Sequence, residues 1–518
     1  MTSSAISRHA AGPQSPERPS PPVHPSPSDV TVIGAGLGGL AAAIRLRLQG
    51  FRVTILEQHH VPGGRCGVWE SEGFRFDTGP TLLLMVEYLQ RLFADAGRRL
   101  EDYLSLVQLD PNYRVHFHDG STLDVSSRIN RMLAEVERLE PGGGRELLRF
   151  LAETGHLYQV GLKGFVDRNV HRPADWFSLR NAAQLVRGRA MQKLQKLVAR
   201  YFRDERLRQA LSFQSLYLGL SPYESPAIYG LLAYTEIAGG LYFPMGGMHA
   251  IPSALARLAE ELGVTIRYGT RVRALERGPA GVSGIVLDDG STLPAGTVLA
   301  NADLPYVYQT LLGECYPGID RSEFSCSAFL MYLGTDRRYS QLPHHSLIVP
   351  RDLRTACEDI FTHHRVPADP AFYICNPNKT DPSLAPPDGE NIYILVPVPS
   401  DPAGRSLDWG IGGPRLEHRM LDRLERFGLT DLRRHIVTRR TFTPADFRDD
   451  FGATRGEAFG LAHGINQIGY FRPHNRHPQL RNLYFVGQST HPGCGIPMVL
   501  ISARCVAERM AEEVSGEK

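Results

Sequence analysis

Three glycines, Gly34, Gly36 and Gly39, follow the apolar run Val30, Val32, Ile33, and an acid, Glu57, closes the next such run. Residues of these types at this spacing can hold a pyrophosphate. Gly34 permits a tight turn, Gly36 lets the backbone approach phosphate oxygens, and Gly39 lets a helix lie close on a strand. The Ala/Leu-rich helix that begins there runs to about Leu48 and stops at Gly50, with its positive end toward the anion. Glu57 can accept hydrogen bonds from ribose hydroxyls and would repel a ribose phosphate. The β-α-β unit therefore suits FAD or NAD over NADP.

A second glycine pair, Gly63-Gly64, comes next, with Arg65 after it and the turn Asp77-Thr78-Gly79-Pro80 beyond. A flavin dinucleotide is longer than the first unit can hold. Two readings of Arg65 stand: it meets the pyrophosphate or the flavin end of such a molecule, or it makes a surface ion pair. At the other end of the chain, "NLYFVG" reads as a strand from Leu483 to Val486 closed by Gly487. The turn Pro492-Gly493-Cys494-Gly495 follows and leads into a helix, with Pro497 in its first turn, where a missing N–H is harmless. Backbone N–H groups of Gly495, Ile496 and Met498 are then free to face an electron-rich atom. Cys494 has no thiol next to it in sequence and reads as a small filler rather than a redox nucleophile.

The glycine fingerprint, "PGGR" and "FDTGPT" resemble the amino-oxidase-like flavoproteins. "LSFQSLYLGLSPYESPAIYGLLAYTEIAGGLYFPMGGM", "PHHSLIV", "DPSLAPP", "FTPADFRDDF" and "YFRPHNRHPQLRNLYFVGQSTHPGCGIPMVLISA" narrow this to a resemblance to the bacterial and fungal phytoene desaturase family, from Val30 to Met510. The resemblance implies an α/β fold: a Rossmann-like FAD-binding domain with an inserted α+β substrate-binding domain. FAD would touch Gly34, Gly36, Gly39, Glu57, Gly64, Arg65, Val272 (adenine end, through backbone atoms), Gly487, Gly495, Ile496, Pro497 and Met498. The discontinuous FAD domain would comprise 29–102, 242–303 and 482–513, and 103–241 with 304–481 would bind substrate and associate with membrane. The implied activity is desaturation of an acyclic C40 carotenoid, whether phytoene, ζ-carotene or neurosporene, by hydride transfer to flavin and loss of a proton. Oxygen or a quinone would reoxidise the flavin. A redox-neutral carotenoid cis/trans isomerase and a non-redox prenyl-lipid escort protein are the alternatives. Gln488 and Met245 depart from the residues many relatives carry, a small residue and Arg respectively. No catalytic acid or base is assigned; neither Asp77 nor Glu236 is chosen on position alone.

The elements that position these groups must come from a chain of 518 residues, 42% hydrophobic and 22% charged, enough for more than one core. Lys and Arg number 57 against 55 Asp and Glu, a balance that does not point to nucleic acid. Residues 1–28 are rich in Pro and Ser, lack a signal-peptide core and read as a disordered tail. No apolar run is long enough to span a bilayer; Gly230–Met248 contains Glu236 and Pro244 and reads as buried or cavity-lining. A cytoplasmic protein bound to one face of a membrane is expected, with the basic pattern Asn181–Phe202 as a helix for that surface or simply a solvated helix. Phe213, Tyr217, Tyr234 and Tyr242 are either walls of an apolar tunnel or ordinary core. Seven dispersed cysteines read as reduced thiols. The histidines of "PHH", "THH" and "PHNRH" show no ligand spacing, so no metal is expected.

Overall fold

The computed structural model describes residues 29–170, 172–176, 192–401 and 407–515; the stretch 1–28 and residues 181–191 of the basic pattern lie outside the described residues. Strand β1 (Asp29–Ile33), helix α1 (Leu37–Leu48) and strand β2 (Arg52–Leu56) form the first unit. Much later come helix α2 (Ala250–Glu261), strand β3 (Thr265–Arg267), strand β4 (Thr297–Ala300), strand β5 (Leu483–Phe485) and helix α3 (Ile496–Ser515). They build one parallel sheet in the order β5-β4-β1-β2-β3. Its central strands are apolar on both sides, as a parallel sheet covered on both faces requires. On one face Leu40 and Ile44 of α1 pack with Leu255 and Leu258 of α2 and with Leu500 and Val506 of α3. On the other, Ile33, Val298 and Leu483 meet Val272, Ile285 and Leu287 of a three-stranded antiparallel sheet.

A second sheet has seven strands, in the order 436–442, 327–335, 390–398, 372–375, 345–348, 113–116 and 122–125. Ser327–Thr335 is buried along its whole length, and its side chains divide by the two-residue period of a strand. Phe329, Met331 and Leu333 pack on one face with Leu416, Met420 and Leu424 of helix Trp409–Arg426. Ala328, Leu330 and Tyr332 face the other way, with Phe74, Phe76 and Tyr393.

Among the described residues no helix is long and apolar enough to cross a membrane. Gly230–Met248 breaks into short turns, a π-helical turn Thr235–Gly239 and the strand Tyr242–Pro244, with Glu236 fully buried. The described end of the basic pattern corrects its reading as a surface helix. Only Leu194–Val198 is helical there, and Leu194, Leu197 and Val198 are buried in the core. Lys193 pairs with Glu224 and Arg200 with Glu153. That apolar side is covered by protein and offers nothing to a bilayer.

The last strand and helix are held to the rest by Arg472, which is fully buried. Its guanidinium donates to the carbonyls of Leu461, Ala462 and Gln467 on one segment and of Gln488 and Thr490 on the other, at 2.7–3.3 Å. A planar fork of five N–H donors suits such a cluster, and a lysine ammonium does not. Arg472→Lys is expected to leave buried carbonyls unpaired, lowering stability by roughly 2–4 kcal/mol. Thermal unfolding of the purified protein would register this as a lower midpoint; an unchanged midpoint would contradict it.

Candidate functional site

The two glycine bends singled out from opposite ends of the chain touch. A Cβ added to Gly38 would lie 3.3 Å from Cα of Gly487 and 2.8 Å from Oδ1 of Asn301. At Gly39 it would lie 2.2 Å from the carbonyl oxygen of Gly34, so α1 can sit against the turn only because no side chain is there. Asn301, the first residue after β4, fills the junction. Its N–H donates to Ile33 O at 2.9 Å and its Nδ2 to Gly34 O at 3.3 Å. Sequence reasoning passed over Asn301. Its signal was a lone amide side chain at the end of the apolar strand "TVLA".

Glu57 is buried beside this turn. Its two carboxylate oxygens accept the N–H groups of Ala35 at 2.6 Å and His59 at 2.9 Å. It therefore braces the glycine turn as well as facing the space beyond. The neighbouring pair closes in from the other side: the N–H of Gly63 donates to Ala35 O at 2.9 Å.

Arg65 makes no surface ion pair. It reaches inward and donates to Ala458 O at 2.7 Å. Its charge acts on two buried acids, Asp303 and Glu457. Burial raises both carboxyls above their ordinary range, and Arg65 opposes the shift. Asp303 also accepts the hydroxyls of Thr454 at 2.7 Å and Ser489 at 2.9 Å. Cys494 is buried, and its N–H donates to Nε2 of His463 at 3.2 Å. Burial pushes its thiol up to about 11, so it is not a thiolate at neutral pH and cannot act as a ready nucleophile.

A cavity of about 1080 Å³ opens from these bends, at the upper end of the roughly 300–1,000 Å³ common for small-molecule sites. Gly34, Gly36, Glu57, Gly64, Arg65, Val272, Gly487, Gly495, Ile496, Pro497 and Met498 all line it, while Gly39 does not and serves packing instead. Away from the bends the walls are apolar, among them Leu82, Phe213, Ile228, Leu330 and Leu347. Of the four tunnel candidates, Phe213 and Tyr217 line it. Tyr234 packs beside Gly155 and Tyr158, and Tyr242 lies in a strand paired with Leu106–Gln108. The first-turn N–H groups of α3 have no partner within the helix, and that turn forms part of the wall.

Two acids near the cavity have structural partners. Asp77 accepts the N–H groups of Met248 at 2.8 Å and His249 at 2.9 Å, just ahead of α2, and anchors that helix start. Glu236 sits behind the wall, accepting the hydroxyl of Tyr113 at 2.7 Å and Nε2 of Gln214 at 3.1 Å. Its other carboxylate oxygen is buried without a hydrogen-bond partner. Burial raises Glu236 to about 7.

Residues 37–325 match the model of the family "Flavin containing amine oxidoreductase". The chain is 45% identical over 485 residues to the zeta-carotene-forming phytoene desaturase of Myxococcus xanthus, covering 93% of each. It is 39% identical to the lycopene-forming phytoene desaturase of Pseudescherichia vulneris, covering 93% of this chain and 99% of that one. The chain belongs to the phytoene desaturase family of flavin-containing amine oxidoreductases. In fold it is similar to an oxidoreductase from Methanosarcina mazei, with a TM-score of 0.61 at 18% identity, covering 93% of this chain and all of that one.

The observed cradle fits the flavin that family membership calls for: two bends stripped of side chains, a helix N-terminus on each, and an apolar chamber beyond. In this family member Gly38→Val would force the bends apart. It should be purified with at least tenfold less flavin while keeping its circular dichroism, as judged by visible absorbance. A variant that retains full flavin would refute the contact as a requirement.

The Glu236 carboxyl also predicts a pH dependence of stability. Its folded value, about 7, stands above the ordinary 4.5. Below about 4.5 the group is protonated in both states; between there and 7 the unfolded chain loses its proton first, so stability falls as pH rises. Glu236→Gln should flatten that part of the stability–pH curve, an effect of roughly 3 kcal/mol at most. Melting temperatures across pH 4–8 would check it, and parallel curves for the two proteins would contradict it.

Proposed function

We propose that this protein is an FAD-dependent desaturase of an acyclic carotenoid, phytoene or an intermediate downstream of it. The observation that carries this reading is the cavity itself: one continuous space joins the glycine bends to a chamber walled by aliphatic and aromatic side chains. Two relatives named for phytoene desaturation, matched over almost the whole chain, support it. Their names also differ in product, one zeta-carotene-forming and one lycopene-forming, so the number of steps is open to measurement.

In this proposal FAD contacts Gly34, Gly36, Glu57, Gly64, Arg65, Val272 and Gly487 along its length, with Gly495, Ile496, Pro497 and Met498 at the flavin ring. Gly39 supports the first of these turns from behind. Bound flavin would supply the hydride acceptor. The chain's own contribution is to align a long, flexible hydrocarbon and to exclude water. Alignment converts an encounter of two molecules into a step within one complex, which lowers the barrier. Leu82, Ile228 and Leu330 are suited to this because they offer area without competing hydrogen bonds. The positive N-terminus of α3 favours negative charge beside it. Residues 29–102, 242–303 and 482–513 are proposed as the cofactor-binding part, and 103–241 with 304–481 as the part that takes substrate and meets membrane. Ile465 and Phe471 support that surface role, since both line the cavity and are exposed at 41% and 51%. Oxygen or a membrane quinone would complete the cycle from the cytoplasmic side.

The test is to supply phytoene or ζ-carotene in liposomes to the purified protein with a quinone. Each added double bond should be matched by one acceptor reduced, and heat-released flavin should have the mass of FAD. Geometric isomers formed without acceptor consumption would favour the isomerase instead. Leu216→Trp, placed in the cavity wall, should lower kcat/KM at least tenfold while flavin absorbance is kept. Unaltered turnover in that variant would mean the substrate lies elsewhere.

A further inference from the structure

The seven-stranded sheet brings together donor atoms that no motif announces. Strands His345–Ile348 and Phe372–Cys375 are antiparallel, and His345 stands directly opposite Cys375. Side chains so paired share a face with Cβ atoms about 4.5–5.5 Å apart. His344 sits one residue before the strand, its carbonyl held by the N–H of Asn376 at 2.7 Å, its ring centroid 4.2 Å from that of His345. One donor atom from each of His344, His345 and Cys375 lies within 4.8 Å of the other two, and all three residues are buried.

Each imidazole is already fixed through Nδ1. That of His344 meets the Thr380 hydroxyl at 2.6 Å, and that of His345 the Tyr373 hydroxyl at 2.6 Å. Tyr373 is itself tied to the Thr81 hydroxyl at 2.8 Å. Nε2 of both histidines is buried without a hydrogen-bond partner. Leaving a buried polar atom unpaired is costly, and here two fall on adjacent residues beside a thiol. Metal-bound histidines show this same division, with one nitrogen oriented by an oxygen and the other directed at the ion.

We propose that His344, His345 and Cys375 bind zinc, forming a site that clamps one wall of the apolar cavity. Nε2 of each neutral imidazole donates a lone pair. The Cys375 thiol gives its proton to solvent as the zinc–sulfur bond forms, and a water completes the tetrahedral shell. Two nitrogens and a sulfur with no carboxylate select zinc over magnesium or calcium. Two neutral ligands and one thiolate leave the site with a single positive charge. Asp77, close enough to act electrostatically on Cys375, offsets it. The placement follows from strand alternation: Leu347, two residues after His345, and Tyr373, two before Cys375, both line the cavity.

Tag-free, flavin-loaded protein from zinc-supplemented cells, desalted and measured by elemental analysis, should carry about one zinc per chain. Cys375→Ser and His345→Ala should each reduce this at least tenfold with flavin content retained. Cobalt added to chelator-stripped wild-type protein should give a thiolate-to-metal charge-transfer band, and this readout holds even if a variant fails to fold. Wild-type protein with less than about a tenth of an equivalent after incubation with zinc, and no cobalt band, would overturn the site. So would a zinc content undiminished in both folded variants.

Discussion

Arg472 has a guanidinium that donates to five backbone carbonyls, drawn from two segments. One segment, Leu461–Gln467, includes His463, whose ring accepts the N–H of Cys494. The other, Gln488–Thr490, leads from β5 into the turn that begins α3. Removing a charge from water is expensive unless its hydrogen bonds are replaced, and here each N–H direction of the fork meets a carbonyl. The chain's last strand and helix are thus located by an interaction in the interior rather than by their own propensities. Everything built on the second glycine bend inherits that placement.

The consequence is a contact between two backbones. Where Gly38 approaches Gly487 a side chain would crowd Asn301 and the facing backbone, and Asn301 stitches the junction from the end of β4. Two helix N-termini then open on the same space, one from each end of the chain. Glu57 and Arg65 both line that space. Arg65 stays inside the protein among acids that burial drives toward their neutral forms, so the cradle presents donors and a cation where an anionic group would lie. Beyond it the walls are largely apolar. Glu236 stands one layer back, bonded to Tyr113 and Gln214.

The second sheet adds a different constraint. Its strand Ser327–Thr335 is buried on both faces, so its register is fixed strongly; a slip of one residue would turn every side chain to the wrong side. The register between strands 345–348 and 372–375 in the same sheet sets His345 against Cys375, and Tyr373 and Leu347 of these strands line the cavity. Stability of the sheet and the shape of the chamber are therefore one problem, not two.

Local pattern alone disclosed the first β-α-β unit, since Val30, Val32, the glycines, the Ala-rich helix and Glu57 follow each other within a span where neighbours in sequence are neighbours in space. The turn and helix near the C-terminus were legible for the same reason, as was the burial of Gly230–Met248, which its acid and glycines excluded from a bilayer. Sequence did not separate Tyr217, in the wall, from Tyr234 and Tyr242, outside it, because an aromatic residue in an apolar run looks the same whichever face it takes. It left open what covers Leu194, Leu197 and Val198, since periodicity gives an apolar face but not its neighbour. Asn301, Arg472 and the His344–His345–Cys375 cluster were invisible because each acts across strands or loops distant in the chain. Spacing determined which residues could chelate a phosphate; long-range pairing decided which distant backbones and donors would meet, since burial and register, unlike helix turns, are properties of the whole chain.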